Sequence, residues 1–200
     1  MILCGAVPKE RAEKKFGNMI YHIEYDWVDD VKDVKLHNGN FYLESEYGFT
    51  EFDIHYQHRY TSDDFNHDGL KDVAVIYTEN FGGNQWWYCL AFFINDGKKL
   101  VHKSTIYLDD RANIYSLHSK HGRVYLDMDV HQLGDCMGGP SKHISESYGY
   151  SGDNIFVKRA GSYVFEENAY GFKGMPDKNF KSLPSAPLGY NQGFVVGNGL

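Results

Sequence analysis

Two hundred residues suffice for one domain with a core of its own. An excess of 27 acidic over 20 basic side chains, −7 overall, argues against nucleic acid or any other phosphate-backbone partner. No stretch approaches the ~20 apolar residues of a membrane-spanning helix, and three cysteines, Cys4, Cys89 and Cys136, leave at least one thiol unpaired, so no disulfide framework is legible.

Sixteen Tyr, thirteen Phe and 21 Gly against five Pro point to strands and turns. Residues 1–17 read as a leader remnant or one short helix, with helical composition over Pro8–Asn18. Met1–Ala6 resembles the stub of a lipoprotein leader, which makes Cys4 a candidate lipid anchor. A charged n-region and a full apolar stretch do not precede it, and an ordinary start is the alternative. Residues 18–170 form the β-rich unit. Ile20, His22 and Glu24 alternate with Tyr21, Ile23 and Tyr25. Val31–Leu36 and Phe41–Glu46, joined by His37-Asn38-Gly39-Asn40, read as a hairpin, since Asn-Gly supplies the positive φ angles of a primed turn. Glu51–Tyr60 alternates again: Phe52, Ile54, Tyr56 and His58 on one face, Asp53, His55 and Gln57 on the other.

Next comes Asp64-Phe65-Asn66-His67-Asp68-Gly69-Leu70-Lys71-Asp72, the most informative stretch of the chain. Side-chain oxygens fall at positions 1, 3, 5 and 9, with Gly at position 6 and the Leu70 carbonyl at position 7. That spacing suits calcium, which takes six to eight oxygens at roughly 2.3–2.6 Å. A helix–loop–helix site would need a bidentate Glu at position 12, where Val75 stands. The loop therefore runs into a buried strand, Asp72–Thr78, with Asp72 as the closing ligand. It resembles the D-x-[DN]-x-D-G-x-x-D loop of integrin-type FG-GAP repeats. The expected metal set is Asp64, Asn66, Asp68, Leu70 and Asp72. An Asp/Asn/Gly turn without metal is the alternative.

Downstream, Trp86–Ile94 (WWYCLAFFI) reads as a central strand buried on both faces. Asn95-Asp96-Gly97-Lys98 turns the chain back through Leu100–Leu108, and Ile114–His118 pairs with Arg123–Val130 around His121-Gly122. Gln132–Ser141 is a Gly-rich loop, short strands are expected over 155–158 and 162–165, and 171–200 is an irregular tail. No repeat period appears, which disfavours a multi-blade propeller.

The order Asn18–Ile23, Val34–Gly39, the Asp64 loop, Asn95-Asp96-Gly97, Tyr107–Arg111, Val124–Met128 and Gly134–Met137 with Pro140-Ser141 resembles a family of small secreted bacterial proteins and lipoproteins, largely uncharacterised. The resemblance spans Asn18 to Lys158 and implies location and fold more than activity. Cys136 stands where Pro is usual, and Gly138-Gly139 where some members have paired Cys.

Asp127, Asp129 and His131 alternate along one strand and form a secondary polar candidate, for acid–base work or a second metal. The plainer reading is the solvated face of a half-buried strand, since no activated nucleophile or oxyanion loop accompanies them. His55/His58 and His118/His121 lie three apart, opposite-facing on a strand, so zinc is disfavoured. Trp86, Trp87 and Tyr88 suit either a core or a carbohydrate or protein partner.

The expectation is a mainly β domain of antiparallel hairpins, meander- or sandwich-like, with one short N-terminal helix. Its expected role is an extracytoplasmic, calcium-binding, non-enzymatic binding or envelope-associated protein, since millimolar calcium outside a cell fills modest sites. Alternatives are a periplasmic inhibitor or immunity-type partner of a secreted effector, and a hydrolase using Asp127, Asp129 and His131.

Overall fold

The computed structural model describes residues 14–23, 33–48, 50–152 and 154–159. Cys4, the strand expected over 162–165 and the tail over 171–200 lie outside them. Of the N-terminal helix, the described part is one turn at Lys14–Phe16.

The described residues are mainly β. The strands are β1 (Ile20–His22), β2 (Asp33–Lys35), β3 (Asn40–Glu44), β4 (Thr50–Thr61), β5 (Val73–Asn80), β6 (Trp87–Asn95), β7 (Leu100–Asp110), β8 (Asn113–Lys120), β9 (Arg123–Val130), β10 (Lys142–Ser151) and β11 (Asn154–Arg159). All pairings are antiparallel. They build a two-stranded ribbon (β1-β2), a five-stranded sheet in the order β3-β4-β5-β6-β7 and a four-stranded sheet in the order β11-β10-β9-β8.

The apolar runs of β5 and β6 follow from a middle layer covered on both sides. Val73, Val75 and Tyr77 of β5, with Cys89, Ala91 and Phe93 of β6, pack toward Tyr21, Val34 and Leu36 of the ribbon segment and toward Phe16. Ala74, Ile76, Leu90, Phe92 and Ile94 belong to the second cluster, with Val124, Leu126, Met128 and Val130 of β9. Successive side chains therefore enter opposite cores, and no polar alternation survives. By contrast β9, covered on one face, alternates strictly between buried and half-buried positions. The first core also encloses polar groups that satisfy one another. His102 Nδ1 accepts the His22 N–H at 2.7 Å while Nε2 meets Thr105 Oγ1 at 2.9 Å. Burial lowers the His102 pKa to about 3, so the ring is neutral.

Two expectations about strands are corrected. Asn38 and Gly39 take the expected positive φ angles, 52° and 92°, yet the strands they join do not pair beyond the His37–Asn40 bridge. Leu36 N–H instead donates to Met19 O at 3.0 Å, and β3 pairs with β4, so the turn carries the chain from one layer to the next. The other is β10: Lys142–Ser151, rich in Ser, carries no strand signal of its own, yet it forms a ten-residue strand. Its buried Ser147 is held by Arg123, whose Nη2 donates to Ser147 O at 2.9 Å, and Tyr148 OH donates to Glu146.

Candidate metal centre

The loop between β4 and β5 is closed at its base by backbone and hydroxyl bonds. Asp72 N–H donates to Asp63 O at 2.8 Å, and Ser62 Oγ donates to Asp72 O at 2.7 Å. Phe65 is fully buried and drives its ring edge-on against Phe92, centroids 5.2 Å apart at 79°. That apolar plug, about 1.5–3 kcal/mol of burial for a side chain of this kind, anchors an otherwise polar loop in the core between the large sheets.

Above the plug the chain bends twice through left-handed backbone, at His67 (φ 62°) and Gly69 (φ 87°). The Asp64 carboxylate folds across the bend: Oδ1 accepts Asp68 N–H at 3.1 Å and Oδ2 accepts Gly69 N–H at 2.9 Å. Asn66 Oδ1 also meets Asp68 N–H at 3.2 Å, and Asn66 Nδ2 donates to Asp68 Oδ2 at 2.8 Å. Asp68 Oδ1 accepts Leu70 N–H at 2.8 Å. Position 5 thus sits within one hydrogen-bond length of both position 1 and position 3. Leu70 is exposed at the rim.

Asp72 behaves differently from the other carboxylates. It is fully buried; Oδ2 accepts Phe65 N–H at 2.8 Å and Asn66 N–H at 3.4 Å, and Oδ1 accepts Asn95 N–H at 2.9 Å. Its first task is therefore to staple the loop to the β6–β7 turn. Among the described residues no group of three or more His, Cys, Asp or Glu side chains converges as a metal cluster. The donor chemistry nonetheless fits a hard dication. Three carboxylates and an amide oxygen lie within nine residues, and an oxygen that accepts one N–H keeps a second lone pair.

Three residues outside the expected ligand set hold the loop in place. Asp63 accepts Gly122 N–H at 3.0 Å and Asp64 N–H at 3.0 Å, and faces Lys71 Nζ at 3.7 Å. Burial opposes ionisation of Asp63, but those N–H groups and Lys71 outweigh it, so its pKa is lowered. Gly122 has φ +71°, and a Cβ there would lie 2.5 Å from His67 Cε1 and 2.9 Å from Asp64 O. Asn95 Nδ2 donates to Lys71 O at 3.2 Å. The loop is thereby clamped between the β6–β7 and β8–β9 turns. The sequence signals were an acid immediately before the motif, and Gly-containing turns that a strand-and-turn reading treats as mere connectors.

The secondary polar candidate is divided. Asp127 and Asp129 share the outer face of β9. Asp127 accepts Ser116 Oγ at 2.8 Å and also Ser145 Oγ; Asp129 accepts Tyr115 OH and meets His143 Nδ1 at 3.0 Å. These contacts lower both carboxylate pKa values, hydroxyl hydrogen bonds foremost. His131 lies just past the strand and turns inward: it is buried, with Nδ1 3.1 Å from Asp109 Oδ2 and Nε2 3.2 Å from Cys136 O. Strand parity placed it with Asp127 and Asp129, but parity lapses where β9 stops at Val130. His118 is exposed and stacks on Tyr125, and His121 occupies a turn at φ 53°. Cys89 is fully buried, and burial pushes its thiol pKa far up; Cys136 is exposed.

Compared with known proteins, the chain matches no family model, no curated protein and no solved structure.

Proposed function

We propose that this is an extracytoplasmic, non-enzymatic calcium-binding protein, a binding or envelope-associated module in which the ion fixes the loop ahead of β5. The observation that carries the reading is the Asp64 carboxylate folded over Asp68 N–H and Gly69 N–H. It bends the segment so that Asp64 Oδ1 and Asn66 Oδ1 both reach Asp68 N–H. Calcium would be held by Asp64, Asn66 and Asp68 with the Leu70 carbonyl, and Asp72 would form the floor. Its charge would neutralise carboxylates that otherwise repel one another. A rim-exposed site of this kind suits the 10⁻⁴–10⁻³ M affinities of extracellular modules, which is the basis for the compartment. The hydrolase alternative needs Asp127, Asp129 and His131 together, and the His131 side chain points away to Asp109.

A ligand at ten times its dissociation constant stabilises the native state by about 1.4 kcal/mol. For a domain of this size that raises Tm by roughly 3–5 °C. Thermal denaturation in millimolar calcium should show this rise, and a chelator should reverse it. Asp68→Ala should melt at one temperature under both conditions. A wild-type Tm indifferent to calcium contradicts the proposal.

A further inference from the structure

The loop that follows β9 closes on itself at its base. Asp135 Oδ2 accepts Gln132 N–H at 3.0 Å and Ser141 N–H at 2.9 Å, and Ser141 Oγ donates to Asp135 Oδ1 at 2.6 Å. Above that clasp the tip, Cys136-Met137-Gly138-Gly139, turns through Gly139 N–H on Cys136 O at 3.0 Å. Two side chains tie the tip to the body of the domain through its carbonyls. His131 Nε2 lies 3.2 Å from Cys136 O, and Arg111 Nη1 donates to Met137 O at 2.9 Å.

The protons on His131 follow from its partners. The Cys136 carbonyl only accepts, so Nε2 carries a hydrogen. On the other side, Asp109 Oδ1 accepts Asp110 N–H at 2.9 Å and Oδ2 accepts the His131 backbone N–H. That carboxylate is an acceptor at both oxygens, so Nδ1, 3.1 Å from Oδ2, carries the second hydrogen. His131 is therefore an imidazolium, and only 4% of the residue is exposed. The Asp109 hydrogen bond holds its pKa above the ordinary value against the opposing effect of burial. With both nitrogens donating, the ring has no lone pair for a metal ion.

The charged groups around the ring come from three elements. Asp109 and Asp110 of β7 and Asp135 of the loop favour the cation. The Arg111 guanidinium is engaged by Asp110 Oδ2 at 2.6 Å, and Lys142 of β10 lies opposite Val130, the residue before His131. Asp129 meets His143 on the outer face of β9, and the Cys136 thiol is exposed.

Loss of one proton changes what the tip meets. A neutral ring keeps its hydrogen on Nδ1, because a lone pair there would face a full negative charge. Nε2 then turns a lone pair toward Cys136 O across 3.2 Å, acceptor against acceptor. β7 and β9 are held by strand pairing. The tip contains Gly138 and Gly139, and a Cβ at Gly138 would meet nothing within 4 Å. The tip is the part that yields.

We propose that His131 is a proton-operated latch on the 132–141 loop: the imidazolium holds the tip against the domain, and its deprotonation releases Cys136 and Met137. The latch is closed below the folded pKa of His131 and open above it. The loop presents Leu133, 75% exposed, and Met137, 43% exposed, so the pose of an apolar surface changes with pH.

NMR of the ¹⁵N-labelled protein in chelator, titrated from about pH 5 to about pH 9, reads ring and loop together. The His131 ring should carry hydrogens on both nitrogens at the acid end and titrate with a midpoint above 6.5. The amides of Cys136, Met137 and Gly138 should shift with that same midpoint while those of β5 do not. Their hydrogen exchange, corrected for its intrinsic pH dependence, should quicken roughly tenfold across it. Cys136→Ser removes a thiol whose ordinary pKa is about 8.5 and should keep the response. His131→Gln, which cannot take up a proton, should abolish it. The coincidence of ring and loop midpoints in the wild type tests the latch without either variant. A ring neutral throughout, loop amides indifferent to its titration, a response lost in Cys136→Ser or one retained in His131→Gln overturns the proposal.

Discussion

Asp68 and Asp72 belong to one motif but have different work. Asp68 lies exposed at the rim, while buried Asp72 accepts three backbone N–H groups from Phe65, Asn66 and Asn95. Asp72→Asn puts an NH₂ against those donors. It should cost about 1–3 kcal/mol, the range for buried groups left unsatisfied, in urea denaturation even in chelator, whereas Asp68→Ala should lose only the calcium response. Equal chelator-state stabilities would refute that division. His131 gives a prediction in pH. Both ring nitrogens face acceptors, Asp109 Oδ2 and Cys136 O, so the ring is held as an imidazolium. Its pKa is raised above 6.5, chiefly by the Asp109 hydrogen bond and despite desolvation. A raised folded pKa means the stabilisation is complete below the unfolded value of about 6.5 and is lost as pH climbs through the folded one. Denaturation midpoints measured upward from pH 6 should therefore show a decline that His131→Gln removes; an identical slope in the variant would be evidence against it.

At the scale of elements, the metal loop is a contact between turns as much as a loop. Gly122 is where the β8–β9 turn meets His67 and Asp64. Gly122→Ala adds a Cβ 2.5 Å from His67 Cε1 at a left-handed φ of +71°. The backbone conformation alone costs roughly 1–2 kcal/mol. The variant should lose at least that in equilibrium unfolding and should bind calcium more weakly, because Asp63 is then displaced from Gly122 N–H; unchanged stability would mean the turns are not clamped. Sequence reading succeeded at elements where the local signal is the cause. Asn38-Gly39, Asp96-Gly97 and His121-Gly122 turn because those residues accept positive φ, except that Asp96 acts through its carboxylate, accepting Lys98 and Lys99 N–H at 2.8 Å. It failed where a distant partner decides. Nothing local to Val34 or Phe41 says that they enter different sheets, and β10 is identified by β9 and β11 on either side of it, not by its own Ser, Glu and Gly. The same holds within the candidate site: the Asp64–Asp72 spacing was legible, but the staple to Asn95 and the clamp at Gly122 come from turns 23 and 59 residues away from their carboxylates.

For the whole molecule, the middle sheet links two regions that share no residue. One end runs into the Asp64 loop, and at the other β7 closes with Asp109, which holds His131. Three layers give this arrangement rigidity, because β5 is buried along its entire length and joins both cores. The account's central claim is that the Asp64–Asp72 segment holds one calcium ion. Equilibrium dialysis against ⁴⁵Ca²⁺, with wild type beside Asp68→Ala, measures this directly. The account predicts saturation at one ion per chain for wild type at millimolar calcium and none for the variant. Wild-type protein that retains no calcium above the dialysate at these concentrations, or a variant that retains as much, contradicts it.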